Sequence, residues 1–531
     1  MIYQNLGYKG NIFRLLLYTY LNDIYFIPLA CAEIKFQKLH LGLMNAYAKL
    51  NLFFGLGFLA ALGLFMFKIK LYDLPDYQAD LFGILQLSRD YVLGKPLLYE
   101  NAYGDNSGIH NYYLMPLLAP FTLLFGGKGL FVAGFAFQCW MLVLLARIFS
   151  KLQNWMGILF LLLLFAPVSW YIWDNLKFGW HAESFYLPLS LIAAASLLLG
   201  NKPGFLVSAI FLVLNREDGV WIVFGLYALF AFLDDKQSPN QKLKKITLSL
   251  LLSIGIFAAE ILLLYLRGKG ETRAGDAWRL FQENLQQYSL TDYLGTAFLS
   301  WMGIAGIAFL LCLALIKNNT GRLVGLMVLL PVLGISLYSG IYYFPNLKYG
   351  ITWAPRLSAT YGFILSLLLI SLYYKKITTK TKGLLWIGSA ILIFVIQYQS
   401  LLKLSYQPYS LLTRIQLSLG KQSEKVPDEP VKQRLIAFSA MIPKQFPLRM
   451  DEELFALFDH TDMQWPRAVH KPFKPARMLI SKHISDEDVP LPLRFMETGK
   501  IGNYRIFMDR SDETAMQIVA LGISSGVVES P

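Results

Sequence analysis

The feature that most constrains this chain is a succession of long apolar blocks separated by short basic stretches. Met156–Ala166, Leu187–Leu199 and Leu384–Val395 are three of these blocks. A helix needs roughly 17–25 apolar residues to cross the hydrocarbon of a bilayer. Charged residues make up 16% of the chain, whereas a soluble protein carries about a quarter. The sequence therefore predicts a mainly α, polytopic membrane protein.

Hydropathy predicts about eleven transmembrane helices. They lie near residues 51–67, 129–147, 155–172, 184–199, 204–214, 219–233, 246–266, 297–316, 323–343, 355–374 and 383–400. Segment 112–125 is also apolar, but Pro116 and Pro120 interrupt it, so we predict a helix along the outer interface. Residues 1–50 are predicted to be a cytoplasmic or interfacial segment, in which Met1 and Met44 both remain open as translation starts.

The basic residues of the short loops determine the predicted orientation. Under this count they fall on one side, which the positive-inside rule makes cytoplasmic; they are Lys49, Arg147, Lys151, Lys202, Lys236–Lys245, Lys317, Arg322 and Lys375–Lys382. The count requires residues 204–233 to form a helical hairpin with an outward tip at Asn215–Gly219, because a single helix would place Lys375–Lys382 on the outer side. A single helix of this length would also be about 45 Å long, too long for one untilted span. The net charge of +13 then indicates contact with anionic lipid rather than with nucleic acid.

The predicted membrane domain covers residues 51–401 and includes an outer loop at 68–128. Residues 402–531 then lie outside the membrane. Their many prolines predict a small, compact α+β domain, with a helix near Val431–Met441 and strands at Arg477–Ser481 and Tyr504–Met508. The three cysteines lie in apolar segments without metal-ligand spacing, which indicates neither a disulfide framework nor a structural zinc site.

Unusual polar residues gather on the predicted outer side. The first outer loop carries Asp76, Asp80 and His110, and the next outer loop carries His181 and Glu183. Each has a simple structural interpretation beside the functional one. Asp80 could cap the helix that follows it, for about 1 kcal/mol. His110 could belong to an interfacial aromatic belt, and His181 and Glu183 could solvate the entry of a helix.

Three more positions are predicted at or near membrane depth. The hairpin tip carries Arg216, Glu217 and Asp218, and an ionised residue at that depth costs roughly 2.5–3.5 kcal/mol unless it pairs or faces water. A plain turn is the alternative for the tip. Glu260 lies in the outer half of the span 246–266, where a carboxylate is a functional candidate by default. Arg356, at the outer start of the span 355–374, could bind a lipid phosphate or extend to the headgroups.

Four segments match short motifs in order and approximate spacing. Asp80–Gln86 matches DLG-F-Q, His110–Pro120 matches H-F-S-P-hydrophobic-LAP, Phe178–Pro188 matches F-HPE-LP, and Arg216–Asp218 matches K/R-E-D. With these motifs the chain resembles a family of bacterial polytopic membrane proteins known as a domain of unknown function, itself similar to the GT-C class of lipid-linked-sugar glycosyltransferases. The resemblance covers about residues 50–235 and extends more loosely to the C-terminus.

The chain departs from the family pattern at several places. Ala182 stands where the family has proline, and Asn111 stands where phenylalanine is usual. The spacing of the first motif also differs slightly. That difference leaves open whether Asp80 or Asp76 is the key acid.

The resemblance implies a GT-C-like fold in the bacterial inner membrane and a sugar transferase that uses a polyprenyl-phosphate donor on the outer face. It implies inverting displacement, with Asp80 as the general base and Asp76 as the second candidate. Arg216 or Arg356 would bind the lipid phosphate. The other candidates would bind or orient the glycan, lipid or protein acceptor, or a cation; they are His110, His181, Glu183, Glu217, Asp218 and Glu260. A divalent metal stays open, because no ligand set is diagnostic.

Two other functions compete with this expectation. A transporter or flippase of a lipid-linked glycan would also need charged residues at membrane depth. Such proteins often contain internal repeats with paired broken helices, and the later spans contain no second hairpin with an Arg-Glu-Asp tip. A non-catalytic envelope scaffold would use the outer domain for binding, but it would leave the hairpin tip and Glu260 unexplained.

Overall fold

The computed structural model describes residues 29–74, 79–102, 110–152, 154–165, 180–234, 237–267, 357–375, 411–419, 427–464, 476–483 and 494–531, with isolated positions such as Tyr77 and Trp173 between them. The chain divides into two compact units, Met1–Leu52 and Phe53–Pro531. In the first unit the described part is helical and belongs to α1 (Leu29–Asp73). This helix runs through residue 44 without a break.

The described part of the second unit is mainly helical up to residue 441. After α1 come α2 (Ala79–Arg89), α3 (Leu114–Leu117), α4 (Ala119–Phe125), α5 (Gly129–Phe149), α6 (Asn154–Phe165), α7 (Tyr186–Leu198), α8 (Lys202–Asn215), α9 (Gly219–Leu233), α10 (Pro239–Arg267), α11 (Leu357–Lys375), α12 (Leu411–Ser418) and α13 (Glu429–Met441). Short 3-10 turns occupy Gly126–Lys128 and Ala182–Phe185.

Three described segments are long and apolar enough to cross a membrane, namely Asn51–Asp73, Ala119–Phe149 and Pro239–Arg267. Shorter apolar helices lie over the other predicted spans up to residue 233 and over 355–374. These helices support a membrane protein, as the sequence predicts. The predicted spans at 297–316, 323–343 and 383–400 lie outside the described residues.

The segment Ala119–Phe149 is bent between α4 and α5. Gly126 has a φ of 59° and begins the turn, and a Cβ on Gly129 would lie 2.2 Å from the Phe121 carbonyl oxygen. Residues this close, eight positions apart, cannot belong to one straight helix, because its rise is about 1.5 Å per residue. The predicted helix at 112–125 is thus two short helices, α3 and α4, that precede the 21-residue helix α5.

Helix α7 is the centre of the bundle. It contacts α5, α8, α9 and α11, and every residue in it except Leu197 is buried. A helix that is apolar on all sides is expected at such a position. Helices α8 and α9 are separated at residues 216–218 and pack against each other, so the predicted helical hairpin at 204–233 is confirmed.

Helix α2 differs from its predicted length and amphipathic character. Apolar residues recur at helical spacing from Leu81 to Val92, before Gly94 and Pro96, and predict an amphipathic helix over this stretch. The helix instead ends at Arg89, and the Tyr91 and Val92 side chains are both 53% exposed. Residues 81–90 are buried without interruption. Neighbouring elements therefore cover all faces of α2, including the polar one, which sequence spacing could not show.

The C-terminal part forms a mixed five-stranded sheet, in agreement with the predicted α+β class. Its strands are β1 (Pro447–Met450), β2 (Asp462–Gln464), β3 (Met478–Ser481), β4 (Phe495–Ile501) and β5 (Tyr504–Asp509), and α14 (Glu513–Ser524) follows them. The order is β2-β1-β3-β5-β4. Strands β2 and β3 pair with β1 in parallel, while β5 pairs with β3 and β4 in antiparallel. Helices α13 and α14 contact each other and β4.

Candidate functional site

The hairpin tip between α8 and α9 is buried and ion-paired. Arg216 is 2% exposed. Its Nη1 contacts a carboxylate oxygen of Glu183, and its Nε lies 3.4 Å from Glu217 Oε1 and 3.7 Å from Asp218 Oδ2. One guanidinium therefore pairs with three carboxylates. This arrangement is more than a plain turn requires, so the turn alternative does not account for the tip.

His110 joins the loop before α3 to this tip. Its Nδ1 lies 2.8 Å from Glu217 Oε1, and the backbone amide of Asn111 donates to Glu217 Oε2 at 3.3 Å. The Asn111 side-chain nitrogen donates to the backbone carbonyl of Glu260 at 2.8 Å. Both His110 and Asn111 are buried within the protein, so His110 does not lie in an exposed aromatic belt. The loop at 110–111 thus links the hairpin tip to α10.

The segment before α7 reaches the same place through His181 and Glu183. His181 contacts Glu183, which is fully buried at the turn into α7. The Tyr186 hydroxyl donates to a carboxylate oxygen of Asp218, and the Asn215 side chain donates to the Ala182 carbonyl at 3.2 Å. The start of α7 therefore also contacts the tip.

Helix α10 contributes one acid and one cation. Glu260 is 7% exposed, and its Oε2 has no hydrogen-bond partner among the described residues. Arg267, at the end of the same helix, donates from Nη2 to the His110 carbonyl at 2.6 Å. Its Nε and Nη1 are buried and make no hydrogen bond within the described ranges, and the Tyr113 ring centroid lies 5.7 Å from its Cζ.

The fold therefore brings together most of the residues that the sequence singled out. They form the polar cluster, which we define as His110, His181, Glu183, Arg216, Glu217, Asp218 and Glu260, with Asn111, Tyr186 and Arg267 around them. Asp80 is the second residue of α2 rather than its N-cap, and it is 8% exposed. Asp76 and Arg356 lie outside the described residues.

Sequence reasoning missed several polar residues of this region. Arg267 resembles the ordinary basic end of a helix, and Tyr186 and Asn111 resemble interfacial residues. Lys68 was assigned to the outer loop, but it is buried within α1 and donates to the Trp173 carbonyl at 2.8 Å. A run of apolar residues that ends in a lysine, as at Phe67-Lys68, is the one signal that could have identified it.

The polar cluster does not resemble a preformed metal site. Among the residues that the structure describes, Asp451, Glu453 and His483 of the C-terminal sheet are the group with ligand atoms within 4.8 Å of one another. Lys482 Nζ already lies 2.8 Å from Glu453 Oε1, and Ser481 Oγ donates to Asp451 Oδ1 at 2.6 Å. Burial also raises the pKa of the Asp451 carboxyl. Protein groups thus satisfy these carboxylates, and we assign no metal to them.

Comparisons with protein-family models, with curated proteins and with solved structures found no match to this chain.

Proposed function

We propose that this protein is a membrane glycosyltransferase of the GT-C type that moves a sugar from a polyprenyl-phosphate donor to an extracytoplasmic acceptor. The observation that carries the proposal is the polar cluster, in which buried acids, histidines and arginines from several loops converge at one end of a helix bundle. Ionisable residues inside a membrane protein are costly and mark substrate or ion pathways by default.

The depth of the cluster supports a substrate that carries a lipid. Helix α8 has 14 residues, which gives a length of about 21 Å. The hydrocarbon core is about 30 Å thick. With Lys202 at the inner surface, the hairpin tip lies below the outer surface, at a depth that the phosphate of a membrane-bound donor can reach.

An inverting displacement needs a base for the acceptor hydroxyl and a cation for the departing phosphate. Asp80 is the proposed general base on the acceptor hydroxyl, with Asp76 as the second candidate. Arg216 is engaged by three carboxylates, so we assign it to holding the cluster together. Arg267 offers buried N–H groups without acceptors, and we propose it, beside Arg356, as the cation for the departing lipid phosphate.

The transporter is the second candidate, and one observation favours it. Glu260 lies within a candidate span, and its Oε2 lacks a donor among the described residues. Such a carboxylate suits proton or cation coupling. A purified protein distinguishes the two functions, because sugar transfer persists in detergent whereas translocation has no meaning without a sealed membrane.

The test is the lipid-linked and surface glycan profile of cells that carry Asp80→Asn or Arg267→Met, beside wild type and a deletion strain. We expect both variants to match the deletion, with loss of one glycan and accumulation of its polyprenyl-phosphate donor. Asp73→Asn is the matched control, because Asp73 is an exposed carboxylate at the end of α1 whose ion pair with Lys128 is also exposed. All variants must reach the wild-type protein level in the membrane.

A wild-type profile for Asp80→Asn would remove Asp80 as the base and leave Asp76 as the remaining candidate. If Arg267→Met also had a wild-type profile while the deletion did not, the transferase would fall behind the transporter.

A further inference from the structure

Strand β2 forms one edge of the C-terminal sheet, and α2 with the loop that follows it covers this edge. Strand β2 is an edge strand, yet all three of its residues are buried. An edge strand presents unpaired backbone groups that need a cover. Here the Gln86 side-chain nitrogen, on α2, donates to the Met463 carbonyl at 3.1 Å. Helix α2 thus covers the edge of the sheet at β2.

Asp462 is the first anchor of this contact. It is 4% exposed, and its carboxylate receives groups from the loop that follows α2. Lys95 Nζ lies 3.1 Å from Oδ2, and the Tyr99 hydroxyl lies 3.0 Å from the same atom. The side chains of Gln86 and Asn101 approach Oδ1 at 3.4 Å and 3.5 Å. A buried carboxylate with these hydrogen-bond partners makes a specific contact.

Asp459 is the second anchor. Its Oδ2 accepts from the Tyr72 hydroxyl at 2.8 Å, at the end of α1, and from the backbone amide of Gly127 at 3.0 Å, at the bend before α5. Arg89 Nη1 donates to its backbone carbonyl at 2.6 Å. The two anchors therefore hold the sheet on the ends of two candidate spans and on the helix between them.

Gln86 connects this docking to the polar cluster. It is fully buried, and its Oε1 accepts from the backbone amides of Asn101 and Ala102 at 2.7 Å each. Its amide nitrogen makes the contacts with Asp462 and Met463 described above. Helix α2, which carries Gln86, packs against α3, which begins three residues after Asn111 and contacts α8. The docked sheet and the helix that follows Asn111 therefore both contact α2.

We infer that the C-terminal domain packs against the part of the bundle that holds the polar cluster. We also infer that Gln86 is a positioning residue, which couples this docking to the placement of His110 and Asn111. The inference rests on the proposed function only where it treats the cluster as a catalytic site. The docking and the coupling concern the fold and hold for a transporter as well.

Hydrogen exchange of the purified full-length protein in detergent tests the coupling. The Gly127 amide reports the docking through Asp459, the Asn111 amide reports the cluster through Glu217, and the amides shared by β3 and β5 report the integrity of the sheet. Gln86→Glu keeps the acceptor for Asn101 and Ala102, removes the donor and places a charge beside Asp462. We expect exchange at Gly127 and Asn111 to rise about tenfold, with the sheet amides unchanged.

The double variant Gln86→Glu with Asp462→Asn should reverse much of this rise, because the new amide can donate to the new carboxylate. A merely structural loss at Gln86 would not be rescued in this way. Asp428→Asn, an exposed change in the same domain, is the control. Tyr99→Phe is the second variant; it removes the hydroxyl contacts with Asp462 without adding charge. If Gln86→Glu also unfolds the sheet, Tyr99→Phe tests whether weaker docking speeds exchange at Asn111, and unchanged exchange at Asn111 with faster exchange at Gly127 overturns the coupling.

Faster exchange at Gly127 with unchanged exchange at Asn111 would overturn the coupling, since the C-terminal domain would then detach without any change in the polar cluster. Unchanged exchange at both amides in Gln86→Glu would overturn the role of Gln86 itself. Because this readout does not depend on sugar transfer, a wild-type glycan profile for Asp80→Asn would leave it standing.

Discussion

At the scale of the residue, the arrangement around Arg216 explains how several acids coexist inside a helix bundle. Glu183, Glu217 and Asp218 all face the same guanidinium. A buried charge is tolerated when it is paired and hydrogen-bonded, and removal of one partner leaves the others uncompensated. The planar fork of arginine serves several carboxylates at once, which the point charge of lysine does not. Arg216 is therefore the residue on which the cluster depends most.

Replacement of Arg216 by methionine should lower the free energy of unfolding by about 3–5 kcal/mol, because three carboxylates lose their cation. Arg216→Lys should recover only part of this loss. Thermal unfolding in detergent, followed by size-exclusion chromatography, measures both changes. Arg147→Met is the matched control, since Arg147 is exposed at the end of α5. Equal unfolding temperatures for Arg216→Met and Arg147→Met would contradict this account.

The members of the cluster were predictable because charge is rare in this chain and orientation follows from the basic loops. These two facts assign His110, His181, Glu183, the hairpin tip and Glu260 to one side of the membrane. Their partners were not predictable, since a pairing such as that of His110 with Glu217 joins residues 107 positions apart. Arg267 was missed because helices commonly end in a basic residue.

At the scale of the element, the α8–α9 hairpin depends on the glycine that begins its second helix. A Cβ on Gly219 would lie 1.8 Å from the Leu212 carbonyl oxygen. A real Cβ cannot approach a backbone atom so closely, and the obstacle is main chain rather than a flexible side chain. The glycine therefore lets α9 start directly against the last turns of α8, which keeps the charged tip compact.

Gly219→Ala should destabilise the protein by about 1–3 kcal/mol through overpacking and should disturb the tip. Gly255→Ala in α10 is the matched control, because a Cβ there meets nothing within 4 Å. Alanine in place of glycine within a helix should stabilise it by up to about 1 kcal/mol. Opposite shifts in unfolding temperature are expected, and a stabilised Gly219→Ala would show that α9 does not start against α8 as described.

The start of α14 has a pH-dependent stability that can be measured separately. Asp512 accepts from the Ala515 amide as the helix N-cap at 3.0 Å and from Arg477 Nε at 2.6 Å. The hydrogen bond from Arg477 lowers the pKa of the Asp512 carboxyl. A depressed carboxyl pKa stabilises the fold above the ordinary value of about 3.9, and this contribution is lost as the pH falls through the folded value.

Exchange of the α14 amides should therefore be faster in Asp512→Asn than in wild type near neutral pH, and the difference should shrink between about pH 5 and pH 3. Asp512→Ala should cost about 1 kcal/mol more, because it also removes the N-cap. Glu513→Gln, an exposed change at the next position, is the control. A difference that stays constant down to pH 3 would mean that Arg477 does not set the charge state of Asp512.

Sequence patterns predicted some elements of the sheet and not others. Strands β3 and β5 were predicted because each is an apolar run. Strands β1 and β2 have four and three residues, which is too short for alternation to be recognised. Strand β4 has a register shift between Glu497 and Gly499, which hides its pattern. Long helices with caps and apolar faces were therefore easier to predict than short, irregular strands.

At the scale of the whole molecule, the basic ends and the polar cluster occupy opposite ends of the described bundle. Arg147, Lys202 and Lys242 lie where α5 ends and where α8 and α10 begin. The hairpin tip and Arg267 lie at the other ends of α8 and α10. The C-terminal sheet contacts the beginning of α5 through Gly127 and the end of α1 through Tyr72. The sheet therefore belongs to the end of the bundle opposite Arg147.

If the basic end faces the cytoplasm, the C-terminal domain and the polar cluster face outward. We expect a membrane-impermeant maleimide to label Gln517→Cys in intact spheroplasts and to label Lys151→Cys only after lysis, both in a chain whose three native cysteines are replaced. Both positions are exposed, so access depends on the side of the membrane and not on burial. The reversed pattern would place the cluster on the cytoplasmic face, where an extracytoplasmic acceptor could not reach it, and the glycosyltransferase proposal would then fail together with the orientation.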